Sequence, residues 1–168
     1  MKVAIYSRGL DTEQENPLVI LLEELSRYDI GILLYNSLLE KFNIPEHLTN
    51  KINYFGGHED LDDSIDCLIS LGGDGTMLDT VTLVKDKNIP VLGINFGRLG
   101  FLASISREDL ASAVEALVNH TFLIDKRTLL HLDANIPLFG EGAFALNEFA
   151  IHKRDISPMI KIHTYLNG

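Results

Sequence analysis

Ile65-Asp-Cys-Leu-Ile-Ser-Leu71 runs directly into Gly72-Gly-Asp-Gly-Thr76, and the reading of this junction decides the fold. The first seven residues read as a buried strand and the residues from Thr76 as the start of a helix, which leaves the glycines in a strand-to-helix turn. In such a turn backbone can approach a phosphate-bearing ligand closely, because glycine has no Cβ to hold it off. Thr76 is expected to cap the new helix. Asp74 is then a carboxylate placed where an acceptor hydroxyl could be deprotonated. An ordinary connecting loop is the bland alternative, since Gly and Asp are common turn residues. Three glycines around one Asp are more than a connection needs. The turn has neither the Lys and spacing of a P-loop nor the glycine pattern of a dinucleotide fingerprint.

Outward from the junction, apolar runs alternate with helical spacing. Residues 2–7 read as a short strand, followed by a polar loop through Asn16 and a helix opened by Pro17, whose fixed φ suits a first turn. Leu18, Leu21, Leu22 and Leu25 recur on one face of that helix. Residues 30–35 form a second expected strand, 37–42 a short helix and 43–63 a mostly polar connection. Downstream come a helix over 76–86, a strand over 91–95 led by Pro90, a loop over 96–101 and a helix from Ser106 to about Asn119. The alternation predicts an α/β fold over residues 1–120, a mainly parallel sheet flanked by helices. From Thr121 the pattern changes to strand-like stretches at 122–124, 129–134, 143–152 and 159–166, separated by Gly, Pro and Asp turns. These predict the start of a β-rich second domain over 121–168. That domain is too short to cover its own apolar face, so the chain is expected to be a fragment of a longer protein or an open sheet that needs a partner.

Composition narrows the partners. A formal charge of −10 argues against a nonspecific nucleic-acid binder or an anionic-membrane binder, since such proteins neutralise phosphates with Lys and Arg. The one cysteine, Cys67, lies in a strand pattern and reads as a buried reduced thiol, which suits the cytoplasm. No stretch reads as a targeting segment or a membrane span. The six histidines show no ligand spacing, so no metal-ligating residue is assigned. Among the cations, Arg8 stands at the end of the first strand, a common ligand edge, and reads as a solvated loop residue or a phosphate contact. Arg98 could offset substrate charge or lie on the surface. His152-Lys153-Arg154 reads as a solvated strand end rather than a phosphate clamp.

Gly72-Gly-Asp-Gly-Thr76 with Met77-Leu78, Asn95-Phe-Gly-Arg-Leu-Gly-Phe-Leu102 and Ala145-Leu-Asn-Glu-Phe149 together resemble the ATP-NAD kinases, in that order and at comparable separations. The first motif is shared with diacylglycerol and sphingosine kinases and, more loosely, phosphofructokinases; the second and third make the resemblance specific. It implies phosphorylation of the 2′-hydroxyl of the adenosine ribose of NAD to NADP, with Mg²⁺ and ATP, or polyphosphate, as donor. It implies Asp74 as catalytic base, Gly73, Gly75 and Thr76 near phosphate, and Phe101 lining the NAD pocket. Asn147 and Glu148 match an Asn-acidic pair that contacts adenosine, with Glu148 where many members carry Asp. The family continues into a Gly, Ser and Thr-rich segment beyond this chain, so the fragment is expected to have little activity alone, and the full-length form to be a homo-oligomer. A lipid kinase and a non-catalytic nucleotide-binding module are the competing expectations.

Overall fold

Lys2–Tyr6 (β1), Gly31–Tyr35 (β2), Ile52–Phe55 (β3), Cys67–Leu71 (β4) and Val91–Ile94 (β5) pair as one parallel sheet in the order β3-β2-β1-β4-β5. The computed structural model describes residues 1–9, 16–98, 100–136, 138–153 and 159–168, in two compact units, Met1–Arg127 and Thr128–Gly168. Most of the polar loop expected after the first strand, together with Leu99 and Arg154, lies outside the described residues.

Side chains alternate across the sheet. Val3 and Ile5 of β1 and Ile69 of β4 face a cluster with Leu18, Leu21, Leu22 and Leu25 of helix α1 (Pro17–Ser26) and with Leu110, Val114 and Leu117 of helix α5 (Leu110–Val118). Ala4, Leu33 and Leu68 face the other way, toward Leu83 of helix α4 (Asp74–Val84). Both faces of the sheet are therefore covered, as a parallel sheet requires. Each fully buried leucine contributes roughly 1.5–3 kcal/mol of transfer free energy, so α1 is held mainly by its apolar stripe. Its start is also specified: Pro17 occupies the first turn and the Asn16 side-chain Oδ1 accepts the Leu18 N–H at 3.1 Å. Asn16→Ala should cost about 1 kcal/mol in denaturant unfolding of the full-length protein. A cost near zero would show that the cap is not formed in solution.

Two short helices, α2 (Ser37–Lys41) and α3 (Glu46–Thr49), connect β2 to β3. The expected polar connection over 43–63 thus hides a helix and an edge strand. In β3 only Ile52 and Phe55 are buried, while Asn53 and Tyr54 face solvent, so the strand carries no continuous apolar signal.

In the second unit Leu130–His131 (β6) and Phe144–Ala145 (β7) form an antiparallel pair. The expectation of four strand-like stretches is corrected: among the described residues, 122–124, which lies in the first unit, and 159–166 form no ladder, and 129–134 and 143–152 shrink to two residues each. Leu130 and Phe144 are exposed, and apolar β-formers make a stable ladder only where one face is covered.

Candidate active site

Strand order reverses between β1 and β4. The chain builds β2 and β3 on one side of β1, then crosses to place β4 and β5 on the other. In open α/β sheets the crevice beyond the carboxyl ends of the strands at this reversal is the usual ligand position. β1 delivers Ser7 and Arg8 to it, and β4 delivers the glycine turn.

Gly72 makes the turn possible. Its φ is +147°, its N–H donates to the Ile94 carbonyl at 2.8 Å, and a Cβ built on it would stand 2.5 Å from Thr76 Oγ1. Thr76 is buried against the turn instead of capping the helix. The expected cap is therefore corrected: α4 begins at Asp74, its N-cap is Gly73, and no side-chain cap bond is made. The close approach of Thr76 Oγ1 to Gly72 takes the hydroxyl away from the cap position.

Asp74 lies in the first turn of α4, where a negative charge is favoured. The loop after β5 folds back onto it. Asp74 Oδ1 accepts the N–H groups of Leu102 and Ala103 at 2.9 and 3.0 Å, and Oδ2 accepts that of Phe101 at 2.9 Å. The Ala103, Leu102 and Phe101 donors hold the carboxyl below its ordinary value of 3.8. A carboxylate has about four acceptor positions, so three backbone donors leave room on Oδ2 for one more. Gly100 allows this approach, since a Cβ there would lie 2.0 Å from Asp74 Oδ1.

Asn95, which opens the second motif but was assigned no role of its own, holds the loop in place. It is buried, accepts the Gly97 N–H at 2.9 Å and donates to the Arg98 carbonyl. A Cβ on Gly73 would lie 3.7 Å from Asn95 Nδ2, so the side chain spans from loop to turn. Its signal was an Asn two residues before a Gly at a strand end, a common turn arrangement.

The structure thus brings Gly73, Asp74, Gly75, Thr76 and the Phe101 backbone together. The Phe101 ring is 97% exposed and Arg98 is also exposed. Arg8 approaches the turn, with Nη1 3.7 Å from a Cβ built on Gly75. Asp79 on α4 accepts hydrogen bonds from Arg8 Nε at 2.7 Å, from Arg8 Nη2, and from Tyr6 Oη at 3.0 Å. Neither Tyr6 nor Asp79 was expected in the site. Asn147 and Glu148 belong to the second unit, just after β7, and both are exposed. His152 and Lys153 are exposed as well. Among the described residues no three His, Cys, Asp or Glu side chains gather to hold a metal, and backbone donors take three of the acceptor positions of Asp74. A divalent cation would fit here as a companion of a nucleotide's phosphates rather than in a protein cage.

A sequence model of the ATP-NAD kinase N-terminal domain matches residues 37–122, which hold the glycine turn and the loop that folds onto it. The chain is 50% identical over 103 residues to the NAD kinase of Cytophaga hutchinsonii, covering 61% of this chain and 35% of that protein. It is 35% identical over 170 residues to the NAD kinase of Flavobacterium psychrophilum, covering 100% of this chain and 58% of that protein. The matched chain therefore spans 35% and 58% of the length of these two relatives. The fold is similar to that of yeast NADH kinase, solved in complex with NADH, with a TM-score of 0.59 at 23% identity over 70% of this chain and 36% of that one. With the glycine turn, the loop and the matched domain in agreement, the chain belongs to the ATP-NAD kinase family.

Proposed function

We propose that the protein carrying this chain transfers a phosphoryl group from ATP, or polyphosphate, to the 2′-hydroxyl of the adenosine ribose of NAD, giving NADP. The observation that carries this reading is Asp74: an ionised carboxylate at the strand-order reversal, fixed by three backbone donors, with an acceptor position left on Oδ2. Phosphoryl transfer asks the protein for positioning and charge stabilisation more than for covalent chemistry. Asp74 accepts the hydroxyl proton and aims the oxygen, an effect worth roughly 10²–10⁴-fold. Gly73, Gly75 and Thr76 let phosphate approach the turn, and Arg8 and Arg98 supply positive charge in a chain of net charge −10. The exposed Phe101 ring offers a flat apolar face to a planar base. Asn147 and Glu148 contact the adenosine. A Mg²⁺ ion would arrive on the donor's phosphates and neutralise their charge.

The same reading puts the protein in the cytoplasm as a homo-oligomer. The test is an acceptor comparison with the full-length protein and Mg-ATP, with NAD in one arm and diacylglycerol in vesicles in the other. Phosphorylated NAD and untouched lipid are expected. Phosphorylated lipid with NAD unchanged would replace this reading with a lipid kinase, and ATP binding without transfer to either would leave a nucleotide-binding module.

A further inference from the structure

Tyr6, Arg8 and Asp79 form a polar group beside the glycine turn, joining β1 to α4 across more than seventy residues of sequence. Asp79 takes the Arg8 guanidinium at two points, Nε to Oδ2 at 2.7 Å and Nη2 to Oδ1, and Tyr6 Oη donates to Oδ2 at 3.0 Å. Tyr6 is itself held edge-on by Tyr35, with ring centroids 5.0 Å apart, and Tyr35 by Phe55 at 5.3 Å. A guanidinium is a planar fork, so engaging Nε and Nη2 fixes the direction in which Nη1 points. Nη1 lies beside Gly75, 3.7 Å from where a Cβ on that residue would stand.

The Arg8 side chain is 65% exposed and that of Asp79 25% exposed. An ion pair this open adds little to stability, so the fork geometry calls for another role. We propose that Asp79 and Tyr6 are positioning residues that hold the Arg8 guanidinium over Gly75, where it receives the phosphates of the phosphoryl donor. This rests on the phosphoryl-transfer reading above and deepens it on the donor side. Two effects of Asp79 oppose each other. Its charge offsets that of Arg8 and weakens attraction for phosphate, while its hydrogen bonds set the rotamer in advance and spare the ligand the cost of ordering a long side chain. Solvent screens the first effect at this exposure, so the second prevails.

The experiment uses the full-length protein and its Arg8→Ala, Asp79→Asn, Tyr6→Phe and Arg8→Ala/Asp79→Asn variants. KM is measured for ATP and for NAD, ATP affinity by calorimetry, and melting temperature throughout. Arg8→Ala should weaken ATP by about tenfold, as for loss of a charge-assisted hydrogen bond, with the KM for NAD within about twofold. Asp79→Asn should weaken ATP by roughly three- to tenfold, and the double variant no more than Arg8→Ala alone, because both act through one guanidinium. Tyr6→Phe should act in the same direction and more weakly. Tighter ATP binding in Asp79→Asn, additive effects in the double variant, or equal rises in both KM values would overturn the proposal. Calorimetry separates it from the activity: ATP binding that depends on Arg8 and Asp79 in a protein that makes no NADP would sink the activity reading alone. NADP formation with ATP affinity unchanged in Asp79→Asn would sink the positioning role alone.

Discussion

Gly100→Ala in the full-length protein is expected to cut kcat/KM for NAD by a hundredfold or more. A Cβ at this position would lie 2.0 Å from Asp74 Oδ1, 2.5 Å from Cγ and 2.7 Å from Oδ2, all well inside contact distance. No small adjustment relieves three such overlaps with a carboxylate that is itself tied to the next three residues. Either the loop lifts away and releases the Phe101, Leu102 and Ala103 donors, or the Asp74 side chain turns out of the crevice. Both move the carboxylate by an ångström or more, and misplacement on that scale costs on the order of 10²-fold. Steady-state kinetics measure the loss, and amide hydrogen exchange at Leu102 and Ala103 reports whether the loop has lifted. Turnover within about threefold of wild type would mean that the loop rests on Asp74 only without substrate.

Asp74→Asn probes the carboxylate with less damage to the loop. The Leu102 and Ala103 N–H groups both point at Oδ1, so the amide of Asn should keep its carbonyl oxygen there and place its NH₂ where Oδ2 was. The Phe101 bond is lost, and so is the acceptor position offered to the hydroxyl. We expect kcat to fall by roughly 10²–10⁴-fold with NAD affinity changed by only a few-fold, because the missing function is exercised in the transition state. The pH dependence has a definite sign. The backbone donors of Ala103, Leu102 and Phe101 hold the carboxyl below 3.8, so the group is ionised throughout the range from about pH 5 to 8. Any acid limb inside that range belongs to another group and should persist unchanged in the residual activity of the variant. In stability, a depressed carboxyl contributes above its unfolded value, and the contribution is lost as pH falls through the folded one.

The central sheet was legible because its strands are short apolar runs punctuated by Pro and Gly, with helices whose leucines recur at three and four. β1, β2, β4 and β5 fall within two residues of the expected bounds. β3 was hidden because an edge strand with Asn53 and Tyr54 exposed looks like a polar loop. The second unit was over-read. Stretches such as 159–166 have the composition of strands, yet pairing is decided by what covers them, and sequence does not carry that. At the site, Asp74 and its glycines were visible as a turn with a carboxylate. Three things were not visible: the loop donors reaching Asp74 from 27 to 29 residues away, the retreat of Thr76 from the cap, and the Tyr6 and Arg8 contacts to Asp79 across 73 and 71 residues. Contacts of that range depend on the order in which strands are laid down, which local patterns do not encode.

The most direct test is a single-turnover measurement of NADP formation by full-length wild type and Asp74→Asn, with NAD and Mg-ATP already bound. The account predicts a rate constant at least about a hundredfold lower in the variant, with both nucleotides still bound at saturation. Equal rate constants in the two proteins would contradict it, and would reduce Asp74 to an anchor for the loop that folds over the glycine turn.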